Sequence, residues 1–186
     1  LNMIGSDEPA IDFEPLLSEP FVAACRRDHP LARQRSVTWA ELTRHDFMTV
    51  DKASGNRLML DLALASTRDR PQACFESRHV STLVGFVESG LGVAAVPRLS
   101  MPRKGHPLLV SVPIVDPEVT RTVGLIKRRG RSLSPATQHL YEMLRAVVHK
   151  ETRPAKSAAR AAAVSGTPKS PPLANARTQS RRSAAS

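Results

Sequence analysis

The chain has 186 residues, of which 41% are hydrophobic and 24% charged, and its formal net charge is +10. The hydrophobic share is enough for a folded core, so the chain as a whole is not intrinsically disordered. No run of about eighteen apolar residues is present, which argues against a membrane-spanning helix, and no secretion signal is recognisable.

Most of the positive charge lies at the C-terminal end. Residues 150–186 contain eight Lys and Arg side chains and one acidic side chain, a net charge of +7, which leaves +3 for residues 1–149. Ala, Ser, Pro, Arg and Lys dominate this segment, so burial of apolar side chains cannot offset the loss of chain entropy. We predict a disordered basic tail over 150–186. A solvated extension is favoured over a polyanion-binding arm, which the charge leaves open.

Short apolar runs in the first half of the chain predict three strands, at residues 21–25, 47–50 and 73–76. Between the first two strands, Thr38 and Glu41 form a capping box, which predicts a short helix ending near His45. Ser54 is the predicted N-cap of a second helix, over residues 55–66. The apolar face of that helix is predicted to contain Leu58, Met59, Leu62 and Ala63 or Ala65.

The second half of the chain continues the alternation. One helix is indicated by the spacing of Val80, Leu83, Val84 and Val87, and Gly90 is its predicted left-handed C-cap. Strands are predicted at residues 92–96, 108–114 and 121–127. Ser134 and Pro135 predict the start of a last helix, with a buried face of Leu140, Tyr141, Leu144, Val147 and Val148. Strands separated by helices indicate an α/β fold with parallel pairing.

Three segments carry a further pattern. The first is EPFVAAC at 19–25, followed by DHPLA at 28–32 and a helix that contains Glu41-Leu42. The second is VESGLGVAAVP at 87–97, which follows a helix. The third is a strand that begins at Arg121, followed by LSPA at 133–136 and an amphipathic helix. In this order and spacing they resemble the C-terminal effector-binding domain of LysR-type transcriptional regulators. The resemblance covers about residues 10–149.

The resemblance implies an α/β, periplasmic-binding-protein-like (type 2) fold in which two lobes hold a small molecule between them. It assigns residues 1–149 to an effector-binding region, in which 20–112 form lobe two, and 1–19 and 113–149 are the remnant of an incomplete lobe one. Pro20 and Pro113 are the implied hinges. Promoter DNA would be contacted only through the family's helix-turn-helix domain, which this sequence lacks. By analogy, we expect a homodimer or tetramer.

Two strand-to-helix junctions in lobe two suit a small anion. A helix N-terminus presents unpaired N–H groups and a partial positive charge, so it favours carboxylates or phosphates. Ser54 and Gly55 begin one such helix, and Ser77 precedes the other. The resemblance implies an effector pocket with the predicted ligand-binding residues Thr49, Ser54, Gly55, Ser77, His79, Val96 and Pro97.

Other roles are open for several of these residues. Ser54 could act only as a helix cap, and His79 could be a partly exposed surface histidine. Arg57 and Arg78 could supply charge for an anionic effector or simply lie on a solvated surface. Asp51 could disfavour an anion locally or pair with its neighbouring lysine.

The sequence does not indicate catalysis, a metal or a cofactor. Gly90 and Gly92 precede a strand and lack the third glycine of a dinucleotide motif, and the histidines lack zinc-ligand spacing. Cys25 and Cys74 are expected to be buried thiols in a reducing cytoplasm. We predict a non-enzymatic, cofactor-free sensor of a small organic effector that controls transcription in the intact protein. The alternative is the solute-binding protein of a transporter, which has the same fold.

Overall fold

Strands and helices alternate along the chain as the sequence predicts. The computed structural model describes residues 9–103 and 105–151. In that part of the chain the elements are β1 (Ile11–Arg26), β2 (Val37–Thr38), α1 (Trp39–Leu42), β3 (Phe47–Val50), α2 (Gly55–Ala63), β4 (Ala73–Ser77), α3 (Val80–Glu88), β5 (Val93–Pro97), β6 (Leu109–Val115), β7 (Thr120–Arg128) and α4 (Pro135–Glu151). The predicted tail at 150–186 lies outside the described residues, apart from the end of α4. None of the described helices is both long and apolar enough to span a membrane.

One sheet connects the strands, in the order β2-β6-β1-β5-β3-β4, and β7 pairs with β1 outside this path. The long strand β1 has two parts: residues 11–20 pair with β7, and residues 22–26 pair with β6. Parallel pairing is confirmed for β3 with β4 and β5, and for β2 with β6. It is wrong for β1, which is antiparallel to β5, β6 and β7. After β1 has entered the sheet in one direction, the chain returns beside it in the opposite direction as β6 and β7.

The sheet buries an apolar core on each face. Alternate residues of a strand point to opposite faces. On one face, Phe21 and Ala23 of β1 pack in a cluster with Leu60 of α2. On the other face, Val22 of β1 packs in a cluster with Leu83 of α3. The helices α2 and α3 therefore cover opposite faces of the sheet, and the strands between them are apolar on both sides.

The predicted apolar face of α2 is wrong for its two leucines, whereas Ala63 is partly buried against the core as predicted. Leu58 and Leu62 are 49% and 64% exposed, whereas Leu60 and Leu64 are 4% and 5% exposed. Both pairs have the i, i+4 spacing of a helix face, so the pattern alone does not select between them. Contact with the sheet selects Leu60 and Leu64.

The predicted buried face of α4 is wrong for three of its five residues, whereas Tyr141 and Val148 are partly buried. Leu140, Leu144 and Val147 are exposed, and the main contact of α4 within the described residues is with β1. Two polar contacts hold α4 against β1. The Tyr141 hydroxyl donates to the Glu14 carboxylate at 2.7 Å, and Arg145 forms an ion pair with the same carboxylate at 2.6 Å.

The local signals for helix ends are confirmed. In the capping box, the Thr38 N–H donates to Glu41 at 2.8 Å and the Glu41 N–H donates to the Thr38 hydroxyl at 3.2 Å. Gly90 has φ +84° at the end of α3, as its role as C-cap predicts. At Gly92, with φ +152°, a Cβ atom would lie 2.1 Å from the Asp46 carbonyl oxygen, so only glycine fits there. Cys25 is buried as expected, but Cys74 is exposed, because it lies on the outermost strand, β4.

Candidate functional site

The carboxyl ends of three strands meet at one edge of the sheet. Because β4 and β5 both run parallel to β3, all three strands end at the same side. Here α2 follows β3, α3 follows β4, and a 3-10 helical turn, Arg98–Ser100, follows β5. Since α2 and α3 then leave toward opposite faces, the edge between β3 and β4 is a topological switch point. In open α/β sheets, ligands bind at such points.

The predicted site residues lie along this edge but fall into two groups. Paired residues of neighbouring strands share a face, so the clusters on the two faces assign each side chain. The α2 side holds Thr49 and Pro97, together with Ser54 and Gly55 at the start of α2. The α3 side holds Ser77 and Val96, together with His79 at the start of α3.

Thr49 is the buried polar residue of this edge. Its side chain is 3% exposed, and it donates or accepts no side-chain hydrogen bond within the described residues. No buried polar side-chain atom in that part of the chain lacks a partner. The Thr49 hydroxyl therefore keeps a small exposed area at the strand end, although the residue is almost completely buried.

The N-terminus of α2 is capped and tied to its neighbours. The Ser54 hydroxyl accepts from the Asn56 N–H at 3.3 Å, as its predicted capping role requires. Arg57 is paired with Glu76 at 2.8 Å and with Asp61 at 3.1 Å, and it also donates to the carbonyl oxygen of β3's last residue. Burial lowers the pKa of Arg57, but its two carboxylate partners outweigh burial and raise the pKa overall. Arg57 therefore links β3, β4 and α2 through hydrogen bonds and ion pairs, and its charge is not free for an anionic ligand.

The N-terminus of α3 is more open. His79 is the N-cap residue, and its side chain makes no capping hydrogen bond. The Ser77 hydroxyl accepts from the His79 N–H at 3.3 Å, which fixes the turn before the helix. Arg78 and His79 are exposed, and Arg78 has no ion-pair partner within the described residues. Of the two arginines considered from the sequence, Arg78 is thus the one whose charge is available.

A buried ion pair lies where β1 changes partners. Glu19, 2% exposed, accepts from the Nε of Arg121 at 2.7 Å, and the Leu99 backbone N–H donates to its other oxygen. Arg121 also donates from Nη1 to the Asn56 side chain at 3.1 Å. This cluster was not predicted from the sequence. Its signal was an acidic residue inside an apolar strand segment, since buried carboxylates are rarely unpaired.

The two predicted hinge prolines occupy different positions relative to the point where β1 changes its partner strands. Pro20 pairs with Thr120, at the end of the β1–β7 ladder. Pro113 pairs with Val22, inside the β1–β6 ladder, and the chain continues in β6 to Val115. The hinge assignment stays a prediction. Within residues 9–103 and 105–151, no group of three or more His, Cys, Asp or Glu side chains is placed to hold a metal ion.

The strand ends, helix N-termini and long crossing strand define an α/β domain of the periplasmic-binding-protein-like (type 2) class, as the sequence predicts, and comparison with solved structures confirms this fold. Residues 3–149 match the profile of the LysR substrate binding domain, and the chain belongs to that family. The predicted resemblance is confirmed.

Relatives and solved structures of known fold agree with this assignment. The chain is 42% identical over 144 residues to the HTH-type transcriptional regulator YbhD of Escherichia coli (strain K12), covering 77% of this chain but 45% of YbhD. It therefore spans about half the length of that relative. The effector-binding domain of QuiR in complex with shikimate superimposes with a TM-score of 0.63 at 21% identity, covering 79% of this chain and 69% of QuiR's. The regulatory domain of Synechocystis PCC6803 CcmR in complex with 2-PG gives 0.66 at 23% identity, covering 78% and 70%.

Proposed function

We propose that this chain is the effector-sensing part of a LysR-type transcriptional regulator. The observation that carries the proposal is the shared edge at which β3, β4 and β5 end and two helices begin, in a member of this family. A small molecule bound there would favour one arrangement of the two lobes over another. That difference in affinity is what a ligand needs to shift a conformational equilibrium.

The effector we propose is a small organic anion. The start of α3 lacks a side-chain cap, and the exposed Arg78 stands beside it. Unpaired N–H groups and the helix dipole favour negative charge at this place. Shikimate and 2-PG, the molecules bound in two structures of similar fold, are consistent with this chemical class.

The seven predicted ligand-binding residues divide by role in this proposal. Thr49 supplies a hydroxyl group, and Gly55 supplies a backbone N–H group. The N–H groups of Ser54 and His79 donate to the Asp51 carbonyl and the Ser77 hydroxyl, so Ser54, Ser77 and His79 fix the two turns at the helix starts. Val96 is fully buried on the α3 side of the core, so its side chain packs within the protein and does not contact the ligand. Pro97 closes the strand end on the α2 side.

The remaining partners follow from the same proposal. The intact regulator would bind promoter DNA through a helix-turn-helix domain outside this chain and would act in the cytoplasm. We assign the chain no enzymatic activity. The relationship to an HTH-type regulator favours sensing over the transporter alternative. A second copy of the chain is the proposed oligomeric partner, since the exposed Leu58 and Leu62 lie on α2, and β4 ends the described sheet order.

A thermal-shift screen of small carboxylates, including shikimate, tests this function on the full chain. A probe present at a hundred times its Kd should add about 2.7 kcal/mol to the free energy of unfolding. Thr49→Val keeps the shape but removes the hydroxyl, and we expect about five- to ten-fold weaker binding. Thr43→Val is the matched control, since Thr43 lies before β3 at the opposite end of that strand. If no carboxylate raises the melting temperature of the folded chain, or both variants bind like the wild type, the proposed site is refuted.

A further inference from the structure

We propose that Arg121 is a ligand-binding residue of this site, oriented by Glu19 and Asn56, and that it binds a carboxylate group of the effector. This inference rests on the proposed sensing function. It adds a specific cation to the binding edge on the α2 side, where Arg57, the arginine considered there from the sequence, is already paired with two carboxylates.

The hydrogen bonds of the guanidinium leave one nitrogen open. Nε donates to Glu19 at 2.7 Å, and Nη1 donates to Asn56 at 3.1 Å. Nη2 has no partner within the described residues. Since no buried polar side-chain atom in that part of the chain lacks a partner, Nη2 is in contact with solvent, although the whole Arg121 side chain is only 13% exposed. The group is therefore embedded and held, with one edge free to donate.

The surroundings place this free edge beside the predicted site. Asn56 is the second residue of α2, and Ser54 caps the same helix. Leu99, whose N–H donates to Glu19, belongs to the turn after β5. Arg121 itself is the second residue of β7, which pairs with the first part of β1. A ligand atom bound to Nη2 would thus bridge the ribbon of β1 and β7 and the edge of the larger sheet.

The charges indicate what this edge selects. Glu19 compensates the charge of Arg121, so the pair attracts anions weakly at long range and acts mainly through directed N–H groups. The open Nη2 carries two N–H groups that can donate to a carboxylate oxygen, and such charge-assisted hydrogen bonds are strong. The N-terminus of α2 contributes further partial positive charge at the same place. Arg57 offers no such free edge, because it is paired with two carboxylates.

Matched pairs of probes test the proposal directly. Isothermal titration of the full chain would use benzoate with benzamide, acetate with acetamide, and shikimate with its methyl ester. We expect the wild type to bind the carboxylate of at least one pair about ten-fold or more tightly than its neutral partner. In Glu19→Gln/Arg121→Gln, which leaves no unpaired buried charge, this preference should fall to about two-fold or less. Arg129→Gln, which removes an exposed arginine just after β7, should keep the wild-type preference.

The outcomes separate this inference from the function on which it rests. If the double variant folds and keeps the wild-type carboxylate preference, the role of Arg121 is refuted and the sensing function stands. If the folded wild type binds no member of any pair, both are refuted. Arg121→Lys gives a further readout that retains the charge. It should bind the carboxylate more weakly than wild type but retain part of the preference, and full wild-type binding would contradict a directed contact from Nη2 of the guanidinium.

Discussion

Removing the charge of Arg121 alone should destabilise the chain more than removing both charges of its ion pair. Glu19 is 2% exposed and depends on Arg121 and one backbone N–H for compensation. In Arg121→Gln, a carboxylate would remain buried without a cation. Breaking a buried pair in this way costs about 3–5 kcal/mol. In Glu19→Gln/Arg121→Gln, two neutral amides can still hydrogen-bond, so the cost should be about 1–2 kcal/mol.

Urea unfolding and thermal melts of the wild type, both single variants and the double variant would measure this difference. For a chain of this size, each 1 kcal/mol lowers the melting temperature by about 2–4 °C. Arg121→Gln should therefore melt about 10 °C lower than wild type. The double variant should be more stable than Arg121→Gln by about 2–3 kcal/mol, so the coupling energy from the double-mutant cycle should be at least about 2 kcal/mol in magnitude.

The pair between Arg129 and Asp12 is the matched control. Its side chains are 58% and 39% exposed, so Arg129→Gln should cost less than about 1 kcal/mol. The reasoning would be refuted if Arg121→Gln were as stable as this control, or if the Glu19 and Arg121 substitutions were additive.

Three further predictions concern the core, the thiols and a histidine. Leu60→Ala should cost about 2–5 kcal/mol in urea unfolding, whereas Leu62→Ala should cost less than about 0.5 kcal/mol, and similar losses would contradict the observed face of α2. Burial raises the pKa of Cys25 to about 11, so a thiol reagent at pH 8 should modify only the exposed Cys74 in the folded chain. Rapid modification of both thiols would show that Cys25 is not buried as described. Burial, more than its charged neighbours, lowers the pKa of His29 below 6.5. Because the fold favours the neutral imidazole, the stabilisation from His29 is complete above pH 6.5 and is lost as the pH falls through the lowered pKa. Equal losses of stability on acidification in the wild type and in His29→Gln would disprove this assignment.

The sequence predicts those parts of the fold that local interactions determine. Thr38 and Glu41 lie three residues apart, so their capping box forms without help from the rest of the chain. Leu83 and Val87 repeat at helical spacing in a segment with one apolar face, and both are fully buried. The apolar faces of α2 and α4 could not be predicted in this way, because the surface that each helix contacts selects its buried side.

The candidate site shows the same division. Ser54 was predicted as a cap from its position alone, and its hydroxyl accepts from the first turn of α2. Glu19 and Arg121 are 102 residues apart in sequence, and only the fold brings them together. Thr49 and Val96 were predicted as neighbours of one ligand, but their side chains point to opposite faces of the sheet, a consequence of strand pairing that the residues alone do not reveal.

Hydrogen exchange of the full chain, with and without the carboxylate that stabilises it most, tests directly whether the strand-end edge is where ligand binds. We expect slower exchange at residues 51–57, 77–82 and 97–99, where β3, β4 and β5 give way to the following turns and helices. Slower exchange confined to the turn between β7 and α4, or to α4 itself, would contradict the account.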